Sequence, residues 1–200
     1  DELRKKTLVG SFWMAIDRFG YLSVQFVSNL VLARLLMPED FGTIGVMMVF
    51  ITLANVFIDC GFSASLIQKQ EVTEKDKSTV FILNLFLSVT IYGILFFISP
   101  WIANFFHNAV LGLLLRVLGI VLLIDAFCAI QNTIFIREMN FKLIAKIKLV
   151  AIFIAAVVAI IFAFQGWGVW ALLLQYIFYS VIRTSGTWLA SKWYPKMSFS

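Results

Sequence analysis

Charged side chains inside long apolar runs are the residues of this sequence most able to do chemistry. Six of them are Asp17, Arg18, Asp59, Arg116, Asp125 and Arg183. In a bilayer an ionisable group costs at least about 2–3 kcal/mol, so such groups are rarely placed there without a function. Carboxylates can bind protons or cations, and guanidinium groups suit phosphate oxygens. The pattern therefore predicts a polar site in an otherwise apolar surrounding.

The first apolar run carries its polar residues on one side of a predicted helix. At about 100° per residue, one arc holds Asp17, Tyr21, Gln25 and Ser28, with Arg18 and Asn29 at its edge. The opposite side is apolar, which is typical of a helix that lines a water-filled cavity. The alternative interpretation places Asp17 and Arg18 near the headgroups, where they pair or extend toward water.

The second apolar run repeats this division. One narrow face holds Gly45, Thr52, Asn55, Asp59 and Ser63. Asp59 lies about 12 Å from the end of the predicted span, too deep for a short side chain to reach water easily. It is either a cavity residue or a buried partner of Arg18 or an amide that helps two helices pack.

Two later helices add further candidates. In the fourth, Asp125 and Asn132 share a face, while Arg116 and Gln131 lie on the opposite one. The sixth stacks aromatic rings and hydrogen-bond donors suited to sugars and phosphates: Tyr176, Tyr179, Ser180, Arg183 and Thr187. The alternatives are an outer-surface anchor for Arg116 and an interfacial belt for Arg183.

The sequence lacks the residue patterns typical of metal binding, catalysis, disulfide frameworks and nucleic-acid binding. The single histidine, His107, has no carboxylate or cysteine nearby, so we expect no metal site and no enzyme activity. Cys60 and Cys128 both lie in apolar runs, which does not suggest a disulfide framework. The net charge of +5 comes from basic residues between apolar runs, so we expect no nucleic-acid binding.

The elements that position these residues are membrane spans. The sequence is 62% hydrophobic and 14% charged, with a mean hydropathy of +0.95. A spanning helix needs about 20 apolar residues. The pattern predicts one all-α domain over 1–200, a bundle of six transmembrane helices at about 10–36, 41–67, 78–98, 112–136, 143–164 and 169–190. Ser99 and Pro100 are expected to end the third helix.

Basic residues set the predicted orientation. With a cytoplasmic N-terminus, two basic residues, Arg34 and Arg116, fall outside. The other side holds thirteen: Arg4, Lys5, Lys6, Lys69, Lys75, Lys77, Arg137, Lys142, Lys146, Lys148, Arg183, Lys192 and Lys196. Positive charge concentrates on the cytoplasmic side, so both termini are predicted to be cytoplasmic.

Three motifs carry a family resemblance. They are A-R-L-L-x-P-x-D-F-G from Ala33 followed by D-x-G-x-x-x-x-L-I-Q from Asp59, R-E-M-N-F from Arg137, and G-W-G-V-W-A-L from Gly166 with Gln175. The sequence resembles the oligosaccharide flippases of the polysaccharide-transport family, the Wzx-like members of the multidrug/oligosaccharidyl-lipid/polysaccharide exporter superfamily. Family members carry twelve or more spans in two lobes, so the chain resembles the N-terminal lobe alone.

The resemblance implies translocation of a polyprenyl-pyrophosphate oligosaccharide by alternating access, in a bacterial or archaeal cytoplasmic membrane. It implies no bound cofactor. A proton or a sodium ion is the expected coupling ion, at Asp17, Asp59 or Asp125. Expected partners are the lipid-linked substrate, membrane lipids, a second lobe or second copy, and a polysaccharide polymerase. The alternatives are a multidrug exporter of the same superfamily and a scaffold subunit of a polysaccharide assembly machine that does not transport.

Overall fold

A computed structural model describes residues 2–59, 62–69, 72–191 and 193, with the side chains of 2–8, 62 and 63 excepted. The described residues form seven α-helices. Their bounds are α1 Glu2–Leu35, α2 Pro38–Asp59, α3 Phe62–Gln68, α4 Glu74–Phe105, α5 Ala109–Arg137, α6 Phe141–Phe164 and α7 Val169–Ala190.

Four helices, α2, α4, α5 and α6, are long and apolar enough to cross a membrane by length and composition. A helix of 22 residues reaches about 33 Å, which matches a hydrocarbon core of about 30 Å. The helices α1 and α7, with 34 and 22 residues, are not among these four. The chain is an all-α, multi-pass membrane protein, as its composition predicts.

The predicted second span over 41–67 is described as two helices, α2 and α3, separated by Cys60 and Gly61, which lie outside the described residues. Arg137 at the end of α5 holds the second of these helices in place. Its guanidinium donates to the carbonyls of Leu66, Ile67 and Lys69, the last two at 3.2 and 2.7 Å. The last carbonyls of a helix lack intrahelical partners, so this basic side chain caps α3.

The prediction that Pro100 ends its helix is wrong, because α4 continues to Phe105. Proline has no N–H to donate to the carbonyl four residues earlier, which here is that of Phe96. That carbonyl accepts instead from the Ser99 hydroxyl at 2.8 Å and from Arg116 Nε at 3.4 Å. The freed backbone acceptor is satisfied by side chains, which lets the helix pass through the proline.

The long helices pack in the order α4, α5, α7, α6 and α1, with α2 against α5, α4 and α7. Two glycines allow close approach. A Cβ at Gly119 would lie 2.8 Å from the Tyr92 ring, and one at Gly186 would lie 2.9 Å from Ile147. Small residues at such positions are typical of helix packing in membranes, where lipid offers no hydrophobic drive between helices.

The two ends of the bundle differ in charge. At the turn end, where α1, α4 and α6 finish, Asn108 donates to Thr43 at 3.3 Å. The opposite end, the basic end, carries Lys69, Lys77, Arg137 and Lys142.

A capping box starts α4 at the basic end. Thr73 and Asp76 accept each other's backbone N–H groups there. The 32-residue helix is about 48 Å long, so this first turn projects beyond a ~30 Å core. A hydrogen bond from Lys69 and one from the Thr73 backbone lower the pKa of Asp76 to about 2.

Candidate functional site

A polar cavity of about 380 Å³ is lined by residues of the helices from α2 to α7. Its polar lining consists of Asn55, Asp59, Asn84, Asp125, Asn132, Thr133, Lys148 and Arg183. Ile67 and Ile136 also line it, and both lie near the basic end. The cavity thus occupies the half of the bundle toward the basic end.

A second, smaller cavity of about 180 Å³ lies where α1 meets α6 and α7, and we call it the α1 cavity. Asp17, Arg18 and Tyr21 line it from α1, with Lys148 from α6 and Tyr179 from α7. Lys148 therefore borders both cavities. The two cavities, one lined by residues of the first helix and the other by residues of the second, share this lysine.

Lys148 forms an ion pair with Asp17, with 3.0 Å between Nζ and Oδ2. The two side chains are only 29% and 21% exposed. An unpaired charge at such a place is costly, and pairing offsets much of that cost. The other carboxylate oxygen of Asp17 is buried and has no hydrogen-bond partner among the described residues, so an acceptor remains for a proton, water or ligand.

A second ion pair joins α5 to α7. Arg183 donates to Asp125 across 2.9 Å, and the Ser180 hydroxyl donates to the same carboxylate oxygen. The guanidinium also lies 5.6 Å from the centre of the Tyr179 ring, which meets the Tyr21 ring of α1 edge-on at 5.7 Å. These contacts tie three helices together around the α1 cavity.

The charges that line the two cavities balance. The acids are Asp17, Asp59 and Asp125, and the bases are Arg18, Lys148 and Arg183, so three negative and three positive charges give a formal sum of zero. Lys148 and Arg183 are among the thirteen basic residues counted above as flanking the spans. The structure places both inside the bundle, which leaves eleven against two and keeps the asymmetry.

The other candidates on α1 make different contacts. Gln25 donates to Asn29 at 3.1 Å within the helix, and buried Ser28 accepts from Gln175 of α7 at 3.2 Å. The side chain of Ser63 lies outside the described residues, whereas Asn55 and Asp59 of the same predicted face reach the polar cavity.

Three predicted residues lie apart from this cluster. Tyr176 packs against the apolar core. Gln131 is fully buried, and neither of its amide atoms has a hydrogen-bond partner within the described part of the chain. Arg116 donates to Ser99 Oγ at 2.8 Å and stacks over Phe96 at 4.5 Å, toward the turn end.

Sequence reasoning missed three polar cavity residues, Asn84, Thr133 and Lys148. Asn84 is 2% exposed, and its Oδ1 has no hydrogen-bond partner among the residues described. It is an isolated amide in the third apolar run, so the same search for polar groups among apolar ones would have found it. Lys148 lies seven residues after the start of α6. This depth within an apolar helix could have identified it as an interior residue, but the count of basic residues treated it as a charge that flanks the span.

The described residues contain no group of three or more His, Cys, Asp and Glu side chains that could hold a metal ion. The site is instead a set of paired charges and amides. It can bind an anion at the basic side chains and polar hydroxyls at the amides.

Helices, cavities and ion pairs together define a multi-pass membrane protein with a polar interior. A family model described as polysaccharide biosynthesis protein matches residues 31–200, and the chain belongs to that family. No solved structure matches the chain.

Curated relatives cover most of this chain. The succinoglycan biosynthesis transport protein ExoT of Rhizobium meliloti (strain 1021) is 26% identical over 188 residues, 94% of this chain and 38% of the relative. The lipopolysaccharide biosynthesis protein WzxC of Escherichia coli (strain K12) is 26% identical over 182 residues, with shares of 91% and 37%. For the teichuronic acid biosynthesis protein TuaB of Bacillus subtilis (strain 168), the identity is 26% over 147 residues, with shares of 74% and 30%. The chain spans less than two-fifths of the length of these relatives.

Proposed function

We propose that the protein moves a polyprenyl-pyrophosphate-linked oligosaccharide from the inner to the outer leaflet of the cytoplasmic membrane for surface polysaccharide biosynthesis. Membership of the polysaccharide biosynthesis protein family supports this proposal. The printed names of the relatives, which refer to the transport of succinoglycan and to the biosynthesis of lipopolysaccharide and teichuronic acid, support it further.

The physical task is to carry a charged, hydroxyl-rich headgroup through hydrocarbon. Each unpaired polar group would cost several kcal/mol there, so a polar cavity removes most of the barrier. In the proposal, Arg18 and Lys148 hold the pyrophosphate in the α1 cavity. The side-chain amides of Asn55, Asn84 and Asn132 form hydrogen bonds with sugar hydroxyls in the polar cavity, as donors and as acceptors.

One observation carries the proposal: Lys148 borders both cavities while it is paired with Asp17. A phosphate oxygen can compete with Asp17 for this ammonium group, because both offer a negatively charged acceptor. Binding the headgroup would then release Asp17. That release gives a physical route by which substrate binding changes how α1 is held to α6.

In this proposal the chain forms one lobe of the transporter, and a second lobe or a second copy closes the cavities. Asn29 on α1 and Thr52 on α2 are polar and exposed in the described structure. Such side chains need water or another polar surface in a membrane. Rocking of two lobes about a shared cavity would expose the substrate to each side in turn.

Both termini face the cytoplasm in this proposal, because positive charge concentrates at the basic end. Asp17, Asp59 or Asp125 is the site of the coupling ion, a proton or a sodium ion. A polysaccharide polymerase receives the product. A multidrug exporter is disfavoured, since Asp17 and Asp125 are already paired with basic side chains and offer less to a cationic drug.

Complementation of a strain that lacks the gene tests the proposal in the cell. Arg18→Ala should abolish surface polysaccharide, and Arg18→Lys should reduce it less, because lysine keeps the charge but loses the bidentate fork. Arg34→Ala is the matched control, since Arg34 is an exposed arginine in the last turn of the same helix. Normal polysaccharide from Arg18→Ala at normal protein levels would mean that Arg18 is only an interfacial anchor.

A further inference from the structure

An apolar groove of about 290 Å³ runs between α1 and α6. Its lining residues are Ser23, Val24, Val27, Ser28, Phe153, Ala156, Val157 and Ile160. Val27 and Phe153 are 59% and 61% exposed, so in a membrane the groove opens to lipid. The Ser28 hydroxyl is bound to Gln175 and buried, which leaves the walls almost free of polar groups.

The groove begins where the α1 cavity ends. On α1, Tyr21 of the cavity and Val24 of the groove are three residues apart, or about 4.5 Å. On α6, Lys148 and Phe153 are five residues apart, or about 7.5 Å. Two basic side chains thus lie directly beside an apolar slot between the same two helices.

This arrangement is complementary to an anionic lipid with its charge at one end of a single apolar chain. A lipid of this kind brings one apolar chain to the slot, whereas a phospholipid brings two acyl chains. Arg18 and Lys148 supply the positive charge that a pyrophosphate needs.

We propose that the α1–α6 groove binds the first isoprene units of the substrate's polyprenyl chain while its pyrophosphate occupies the α1 cavity. The inference rests on the proposed function. It adds that the tail is recognised by the protein and does not simply remain in bulk lipid. The contact energy is that of packing, because hydrocarbon surrounds the chain in either place.

Photolabelling in phosphatidylcholine proteoliposomes tests this inference. The probe is farnesyl pyrophosphate with a photoreactive group in its prenyl chain, and the matched probe is phosphatidylcholine with the same group in an acyl chain. Val157→Trp fills the groove from α6, and Val27→Trp fills it from α1. Val150→Trp is the control, because Val150 is exposed on α6 outside the groove lining.

The farnesyl probe should label groove residues of both helices. Labelling should fall about tenfold in each filled variant, which corresponds to a loss of about 1.4 kcal/mol, and stay unchanged in Val150→Trp. Unlabelled inorganic pyrophosphate should compete. Equal labelling by the phosphatidylcholine probe, or unchanged labelling in both filled variants that fold normally, would overturn the inference.

The failures of the inference and of the proposed function are distinguishable. Normal oligosaccharide translocation by both filled variants would overturn the tail site and leave the proposed function standing. Groove labelling by the farnesyl probe in a protein that translocates no oligosaccharide would refute the proposed function and support the lipid site.

Discussion

Lys148 of α6 and Asp17 of α1 form an ion pair of 3.0 Å inside the helix bundle, and the lysine also borders the polar cavity on its other side. This ion pair therefore connects α1, which lies at one end of the packing order, to a residue that lines the polar cavity. A change in what Lys148 binds necessarily changes how α1 is held.

Removing one partner of this pair should cost more stability than removing both. Lys148→Met or Asp17→Asn leaves one partly buried charge without its partner, while the double variant leaves no unpaired charge. Because both side chains are partly exposed, we expect a coupling energy of about 1 kcal/mol. Thermal unfolding of the four proteins in detergent measures it. Additive effects of the two single variants would contradict the pairing.

The polar cavity should admit water from the basic end. In a background of Cys60→Ser and Cys128→Ser, the engineered thiol of Asn132→Cys should react with a charged, membrane-impermeant thiosulfonate applied on the cytoplasmic side. The Ile154→Cys control should stay unmodified, because Ile154 is exposed on α6 toward lipid, where a thiolate does not form. Labelling of Asn132→Cys from the opposite side only would reverse the orientation.

Arg116 should act on the backbone around Pro100. Arg116→Ala withdraws a donor from the Phe96 carbonyl and should cost about 1 kcal/mol of stability. Pro100→Ala restores the backbone N–H, so the double variant should recover stability. Chemical or thermal unfolding measures both effects. If Arg116→Ala abolishes polysaccharide export and Pro100→Ala fails to rescue it, Arg116 binds substrate instead.

Much of this arrangement follows from helix geometry alone. The spacing of Asn55 and Asp59 puts both on one face of α2, and the structure finds both at the polar cavity. Periodicity does not show which other helix packs against each polar face. Lys148 was counted as a flanking charge because its partner, Asp17, lies 131 residues away in the chain.

The path of the chain near helix ends was also hard to predict. Proline normally ends a helix, and no local rule shows that Ser99 and Arg116 will satisfy the acceptor that Pro100 leaves free. Hydropathy likewise merges α2 and α3 into one run, because it measures how apolar a segment is and not where each helix begins and ends.

Translocation in reconstituted vesicles tests the central claim most directly. A fluorescent polyprenyl-pyrophosphate oligosaccharide is placed in one leaflet, and its arrival in the other is followed with a membrane-impermeant quencher. The wild-type protein should accelerate transfer over protein-free vesicles. Lys148→Ala should slow it about tenfold or more, the loss expected for a charge-assisted hydrogen bond. Lys142→Ala is the control and should leave the rate unchanged. Lys142 is an exposed lysine on α6, the helix that also carries Lys148, and it lies near Trp13 of α1. Equal rates with and without protein, or an unaltered rate in Lys148→Ala, would contradict the account.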